Sequence, residues 1–160
     1  MTSRHELHAY DYVNHPYEAV RGALLADPLG TFQRATSAAA SKSAELHAKL
    51  GAIEVGAEVA IKVVGIEDAR SPNDGAATNL VIEWSAVRRP ELFPTMRATL
   101  SLYALTPTET QLDFSGTYDP PLGILGDAVD ALAMRQVAKE SVAGFIQEVA
   151  RFLRASVSGA

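Results

Sequence analysis

Four histidines are the side chains of this 160-residue chain best suited to proton transfer near neutral pH, and two of them stand in His5-Glu6-Leu7-His8. A zinc-hydrolase helix also joins two histidines to a glutamate, but it needs the histidines four apart so that both imidazoles share one helical face. Here they are three apart, and in an extended strand His5 and His8 point to opposite faces. They read as ordinary terminal or surface histidines, and no metal site is expected. The chain has no cysteine, which removes disulfides, thiolate catalysis and Cys-ligated zinc. It has no Gly-x-Ser-x-Gly elbow and no Gly-rich phosphate loop. Gly123 and Gly126 lack a following Walker lysine and read as helix–sheet packing or cavity shaping.

The remaining chemistry is apolar and set at strand spacing. Leu46, Ile61, Ile82, Trp84, Met96, Leu100, Leu102, Leu112, Phe114 and Tyr118 fall on the apolar register of five alternating segments, and none of these positions holds an ionisable acid or base. General acid–base catalysis needs at least one positioned titratable group. The only polar handles on this register are the Trp84 indole N–H and the Tyr118 hydroxyl. An enzyme would have to recruit groups such as Arg135, Gln136 or His15 from helices or loops.

The elements that must position these residues are legible from period and punctuation. Glu6 to Val13 reads as a first strand of undecided facing. Asn14-His15-Pro16 then opens a helix, with Glu18 in its first turn and Tyr17, Val20 and Leu24 on one face. Asp27-Pro28-Leu29-Gly30 interrupts it, and a second short helix is expected over residues 31–42. From Ala44 the period becomes two, giving strands near 44–50, 58–63, 80–87, 96–103 and 111–118, with a turn at Ser71-Pro72-Asn73-Asp74-Gly75. Polar residues alternate with the apolar set, as in an antiparallel sheet with one wet face. This register places Glu83, Arg97, Asp113 and Lys62 in solvent. A helix is expected from Leu122 to Leu153, with Leu125, Val129 and Leu132 on one face and Val142, Phe145 or Ile146, Val149 and Leu153 on another. No linker divides the chain, so residues 1–160 are expected to form one domain.

Composition sets outer bounds. A hydrophobic content of 48% supports a core of ordinary size, and a net charge of -5 makes neither nucleic acid nor an anionic membrane an obvious partner. No stretch approaches the roughly 20 apolar residues of a membrane-spanning helix, and no apolar export segment follows Met1, so a cytoplasmic location is the expectation.

Gly116-Thr117-Tyr118-Asp119-Pro120-Pro121-Leu122-Gly123, followed by Gly126 and Asp130, resembles the passage from last strand to long helix in the START/Bet v 1-like (SRPBCC) superfamily, in particular its bacterial polyketide cyclase and lipid-transport members. Val13-Asn14-His15-Pro16 running into Glu18 and Val20 is a weaker likeness, and the element order extends the resemblance over nearly the whole chain. The resemblance implies an α+β helix-grip fold: a curved antiparallel sheet around a long C-terminal helix, with two short helices after the first strand and a cavity for apolar ligands. It carries over no catalytic residue.

Three functions are compatible with this reading. A binding module would hold a hydrophobic small molecule such as a lipid or polyketide, lined by Trp84, Met96, Leu100, Phe114 and Tyr118 from the sheet and Leu125, Val129, Leu132 and Gln136 from the helix, with no cofactor. A cyclase- or dehydratase-type enzyme would need one titratable group in the same space. A partner-binding or homodimerising domain would use the outer sheet face or the loop Arg88-Arg89-Pro90-Glu91-Leu92-Phe93-Pro94. The apolar stripe itself suits either a packed core or a cavity. Ala48, Ala98, Gly116 and Gln136 are the residues that favour open space.

Overall fold

The computed structural model describes residues 5–38, 59–86, 96–118 and 128–158. The strand expected over 44–50, the loop 88–94, and Asp119 to Gly126 of the strand-to-helix motif lie outside the described residues.

The first strand, β1 (His5–Val13), leads into helix α1 (Tyr17–Ala26). Pro16 stands at the helix N-cap, and Glu18 places a carboxylate in the first turn, where the helix dipole favours it. Val20 and Leu24 are its buried residues. The second helix, α2, covers residues 28–38 and starts three residues earlier than the Ala/Ser-rich pattern suggests. Asp27 is the reason: its Oδ1 accepts the Gly30 backbone N–H at 3.0 Å, a capping arrangement with Pro28 in the first helical position, where a missing N–H costs nothing. A Cβ at Gly30 would lie 2.1 Å from the Asp27 carboxylate, so a larger residue there would make the Asp27 side chain shift.

Four strands follow: β2 (Val59–Arg70), β3 (Ala76–Ala86), β4 (Met96–Thr106) and β5 (Glu109–Tyr118). They join β1 in one sheet of order β1-β5-β4-β3-β2, antiparallel at every pairing. Helix α3 (Ala128–Ser158) continues five residues past the expected end and packs against β1, β5 and α1. The architecture is α+β, a helix-grip arrangement with two short helices after the first strand. Among the described residues no helix is long and apolar enough to cross a membrane.

The register fixes the faces as the alternation suggests. Leu80, Ile82, Leu100, Leu102, Leu112 and Phe114 point to the helix side and are fully buried, while Lys62 and Arg97 are exposed and Glu83 and Asp113 half-exposed on the opposite side. A slip of one residue would exchange these sets and bury the charges, which is why the pairing is specified so strongly. From α3, Val142, Phe145, Ile146, Val149 and Leu153 close the core.

One feature of β2 is not readable from alternation. A bulge between Val63 and Gly65 makes Ile66 the partner of Leu80 and Asp68 the partner of Thr78. Without the extra residue, Gly65 and Glu67 would hold the helix-side positions. The helix side thus carries no ionisable residue along β3, β4 and the middle of β5, but it does on the flanking strands, with Asp68 on β2 and with His5 and Asp11 at register positions of β1.

Candidate functional site

Cross-strand pairing arranges the helix side of the sheet in rows. At one end His5, Tyr118, Met96, Trp84 and Ile61 are successive partners across the five strands. Next come Leu7, Gly116, Ala98, Ile82 and Val63, and then Ala9, Phe114, Leu100, Leu80 and Ile66. The second row is small in its middle, and the rings of the neighbouring rows lean over it. Trp84 and Phe114, two strands and two rows apart, meet edge-to-face with centroids 6.2 Å apart and planes at 85°. Phe145 of α3 lies 4.7 Å from Trp84 and 5.9 Å from Phe114, and Phe32 of α2 lies 5.9 Å from Phe145. The recess made by Ala98 and Gly116 is therefore occupied by aromatic side chains. A Cβ on Gly116 would meet the Ala98 Cβ at 3.0 Å and the Met96 Sδ at 3.3 Å. The small residues that favour open space in the sequence serve here to seat three rings.

Burial is graded along this face. Leu80, Leu100, Leu102, Leu112 and Phe114 have no exposed area, whereas Met96 and Ile61 keep 8% and 9% and Trp84 is only half-buried. Of the sequence-derived ligand residues, Trp84, Met96, Leu100 and Phe114 lie on the helix side, and the Tyr118 backbone pairs with Met96 in the same row. Leu125 and the side chains of Tyr118, Val129, Leu132 and Gln136 lie outside what is described. Phe32 has no signal in the sequence, because a run of alanine and serine hides the one face of α2 that packs.

The polar groups on the helix side gather at the opposite end. Thr78, fully buried, bonds the Tyr17 hydroxyl at 2.6 Å and accepts from Arg21 Nε at 3.0 Å, and Arg21 also reaches Asp68 at 3.4 Å. Arg154 of α3 donates to Asp11 Oδ1 at 3.5 Å and to the Tyr12 carbonyl. His15 bonds Ser158 at 3.2 Å through its ring nitrogen, and its carbonyl accepts from Thr110 at 2.8 Å. Buried Glu148 receives Arg151 at 2.7 Å, and that guanidinium lies 4.7 Å over the Phe152 ring. All but the last pair, which lies within α3, tie α1 and α3 to the sheet or to its connections. Among the described residues no three of His, Asp and Glu cluster as metal ligands would.

The face turned away from α3 holds a feature that alternation does not flag. Tyr103 lies on it yet keeps only 8% exposure, and burial, with Asp113 and Tyr12 nearby, pushes its phenol above the ordinary tyrosine range. It forms part of a hollow of about 320 Å³ between β5 and the β2–β3 turn.

No protein-family model and no curated protein sequence matches the chain. Solved structures do. The aromatase/cyclase ZhuI of Streptomyces sp. R1128 is 13% identical, with 96% of this chain and 95% of that one aligned at a TM-score of 0.52. The TTHA0849 protein of Thermus thermophilus is 18% identical over 94% of this chain and 98% of that one, at a TM-score of 0.50. At such identities the likeness is one of fold: the chain has the helix-grip fold of START/Bet v 1-like proteins.

Proposed function

We propose that the chain binds a hydrophobic small molecule between the sheet and α3, at the end of the helix-side face where Trp84, Met96 and Ile61 stand. The observation that carries this reading is the gradient of burial. Along β3, β4 and β5 the apolar face is fully closed at the end covered by α1 and the last turns of α3, although Ile66 on the edge strand β2 keeps 46% exposure, and the other end of the face has a half-buried tryptophan beside a methionine, side chains that present large, adaptable apolar area. Leu125, Val129 and Leu132 supply the facing apolar wall in this proposal, with Tyr118 and Gln136 reading a polar end of the ligand. Fold likeness to an aromatase/cyclase is compatible with binding of an extended apolar or polyketide chain.

The catalytic reading gains no comparable support. The carboxylates on the helix side of the strands, Asp11 and Asp68, lie two or more rows from Trp84 and are already paired with Arg154 and Arg21.

Trp84 is the only tryptophan, so its fluorescence tests the proposal directly. Titration with oleate should give a saturable change, and native mass spectrometry should show one bound molecule per chain. A flat titration with oleate, a long-chain alcohol and a polycyclic aromatic probe alike would leave a packed interior and end the proposal.

A further inference from the structure

The hollow on the outer face is unlike the rest of that surface. Its floor is Asn79 and Ser101, cross-strand partners on β3 and β4, together with the ring of Tyr103. One wall is Asp113 of β5, the cross-strand partner of Ser101. The other wall is the β2–β3 turn, led by Arg70 and Pro72.

This turn is a fixed wall. Ser71 is buried; its N–H bonds the Gly75 carbonyl at 2.9 Å, its hydroxyl accepts the Gly75 N–H at 3.0 Å, and Asn73 Nδ2 reaches across to the Ala104 carbonyl at 3.4 Å. Asp74 takes a positive φ of 65° to close it. The floor groups are also pre-set. Ser101 donates to Asn79 Oδ1 at 2.6 Å, which turns the carboxamide so that its two N–H donors remain for another partner. On the far wall His8 holds Asp113 through one carboxylate oxygen, Oδ1. A carboxylate oxygen, carboxamide donors, a phenol and a guanidinium therefore border a space with apolar patches at Pro72, Ala77 and the Tyr103 ring.

Alternating hydroxyl donors and acceptors around a ring with a C–H face match such a lining better than an apolar or a purely ionic ligand does. The second Asp113 oxygen can accept from one hydroxyl, while the Asn79 N–H donors and the Arg70 guanidinium can donate to others. The volume lies at the low end for small-molecule sites, about 300 to 1,000 Å³. We infer that this outer hollow is a binding site for a small polyhydroxylated ring, a monosaccharide or sugar acid, recognised by Asp113, Asn79 and Arg70 over a floor of Ser101 and Tyr103. The site lies on the opposite face of the sheet from the proposed apolar site and stands or falls without it.

The test is a nitrogen-15 NMR titration of the full chain with D-glucose, D-galactose, D-mannose and D-glucuronate separately, at tens of millimolar. At least one sugar should give saturable shifts that map to the turn at 70–75 and to Asn79, Ser101, Tyr103 and Asp113, with the Trp84 indole resonance unmoved. Asp113→Asn and Asn79→Ala should each weaken that binding by about tenfold or more, since each removes a well-aligned hydrogen bond to the sugar. Arg70→Gln should act most strongly on glucuronate. The spectra of Asp113→Asn and Asn79→Ala should match the parent's outside the hollow, which controls for misfolding. No saturable response to any of the four sugars, or shifts confined to the helix side, overturns the inference.

Discussion

The two ends of the helix-side face are built from the same strands and the same kinds of residue, yet they are closed differently. At the end where α1 and the last turns of α3 converge, the leucines of β3, β4 and β5 are sealed completely and the polar groups pair with one another, Arg21 with Thr78 and Asp68, and Arg154 with Asp11. At the other end Trp84, Met96 and Ile61 keep some exposure, and the four-ring cluster of Trp84, Phe114, Phe145 and Phe32 stands between the two. An apolar face is thus not by itself a core or a pocket. The elements stacked on it decide, and among the described residues α1 and the last turns of α3 seal the leucine end.

Phe145→Ala should break this arrangement most severely. It removes a fully buried ring that touches Trp84, Phe114 and Phe32 at once, so a loss of about 3–5 kcal/mol in denaturant unfolding is expected. Trp84→Ala should cost clearly less, because a half-buried ring leaves a smaller cavity, while weakening oleate binding. Equal losses for the two would mean that the ends are equally packed and that the gradient carries no functional meaning.

Gly116→Ala sharpens the same point from the small side. The added methyl meets the Ala98 Cβ at 3.0 Å, and Ala98 is tied to the β4 backbone and cannot swing away, although the Met96 thioether can. A destabilisation of about 1–3 kcal/mol is the expected result of this overpacking. A neutral outcome in thermal melts would show that the recess below the rings has slack.

The sheet was legible because its information is periodic: Leu80, Ile82, Leu100, Leu112 and Phe114 repeat at every second position, and each faces the helix side. The Val142, Phe145, Ile146, Val149 and Leu153 stripe was legible for the same reason at helical spacing. What escaped is aperiodic. The bulge after Val63 changes parity with no marker beyond a glycine, and it turns Asp68 toward Arg21. Ala98 and Gly116 suggest vacancy in a one-dimensional reading, because the rings that fill the recess come from β3, from two residues back on β5 and from α3. The outer hollow escaped for a further reason. Ser101, Tyr103 and Asp113 look like ordinary wet-face residues until the Ser71–Gly75 turn is seen folded beside them.

Tyr103 gives the mildest test, and it separates the two faces. Its phenol is raised chiefly by burial, with the Asp113 carboxylate and Tyr12 adding in the same direction. The unfolded chain therefore releases this proton first, at about pH 10, while the folded chain still holds it. Below that pH both states are protonated and Tyr103 adds no slope. As pH rises past it, the folded state binds more protons than the unfolded one, and stability falls until the folded phenol also ionises. Tyr103→Phe cannot ionise and should lose part of this alkaline decline while matching the parent protein at neutral pH to within about 1 kcal/mol, since it removes a single hydroxyl. Chemical denaturation at a series of pH values from neutrality to about pH 11 reads the difference, above the ordinary tyrosine value. Parallel curves for the two proteins would mean that the phenol is as well hydrated in the folded chain as in the unfolded one. The outer face would then be uniformly wet, and burial by enclosing elements would belong to the helix side alone.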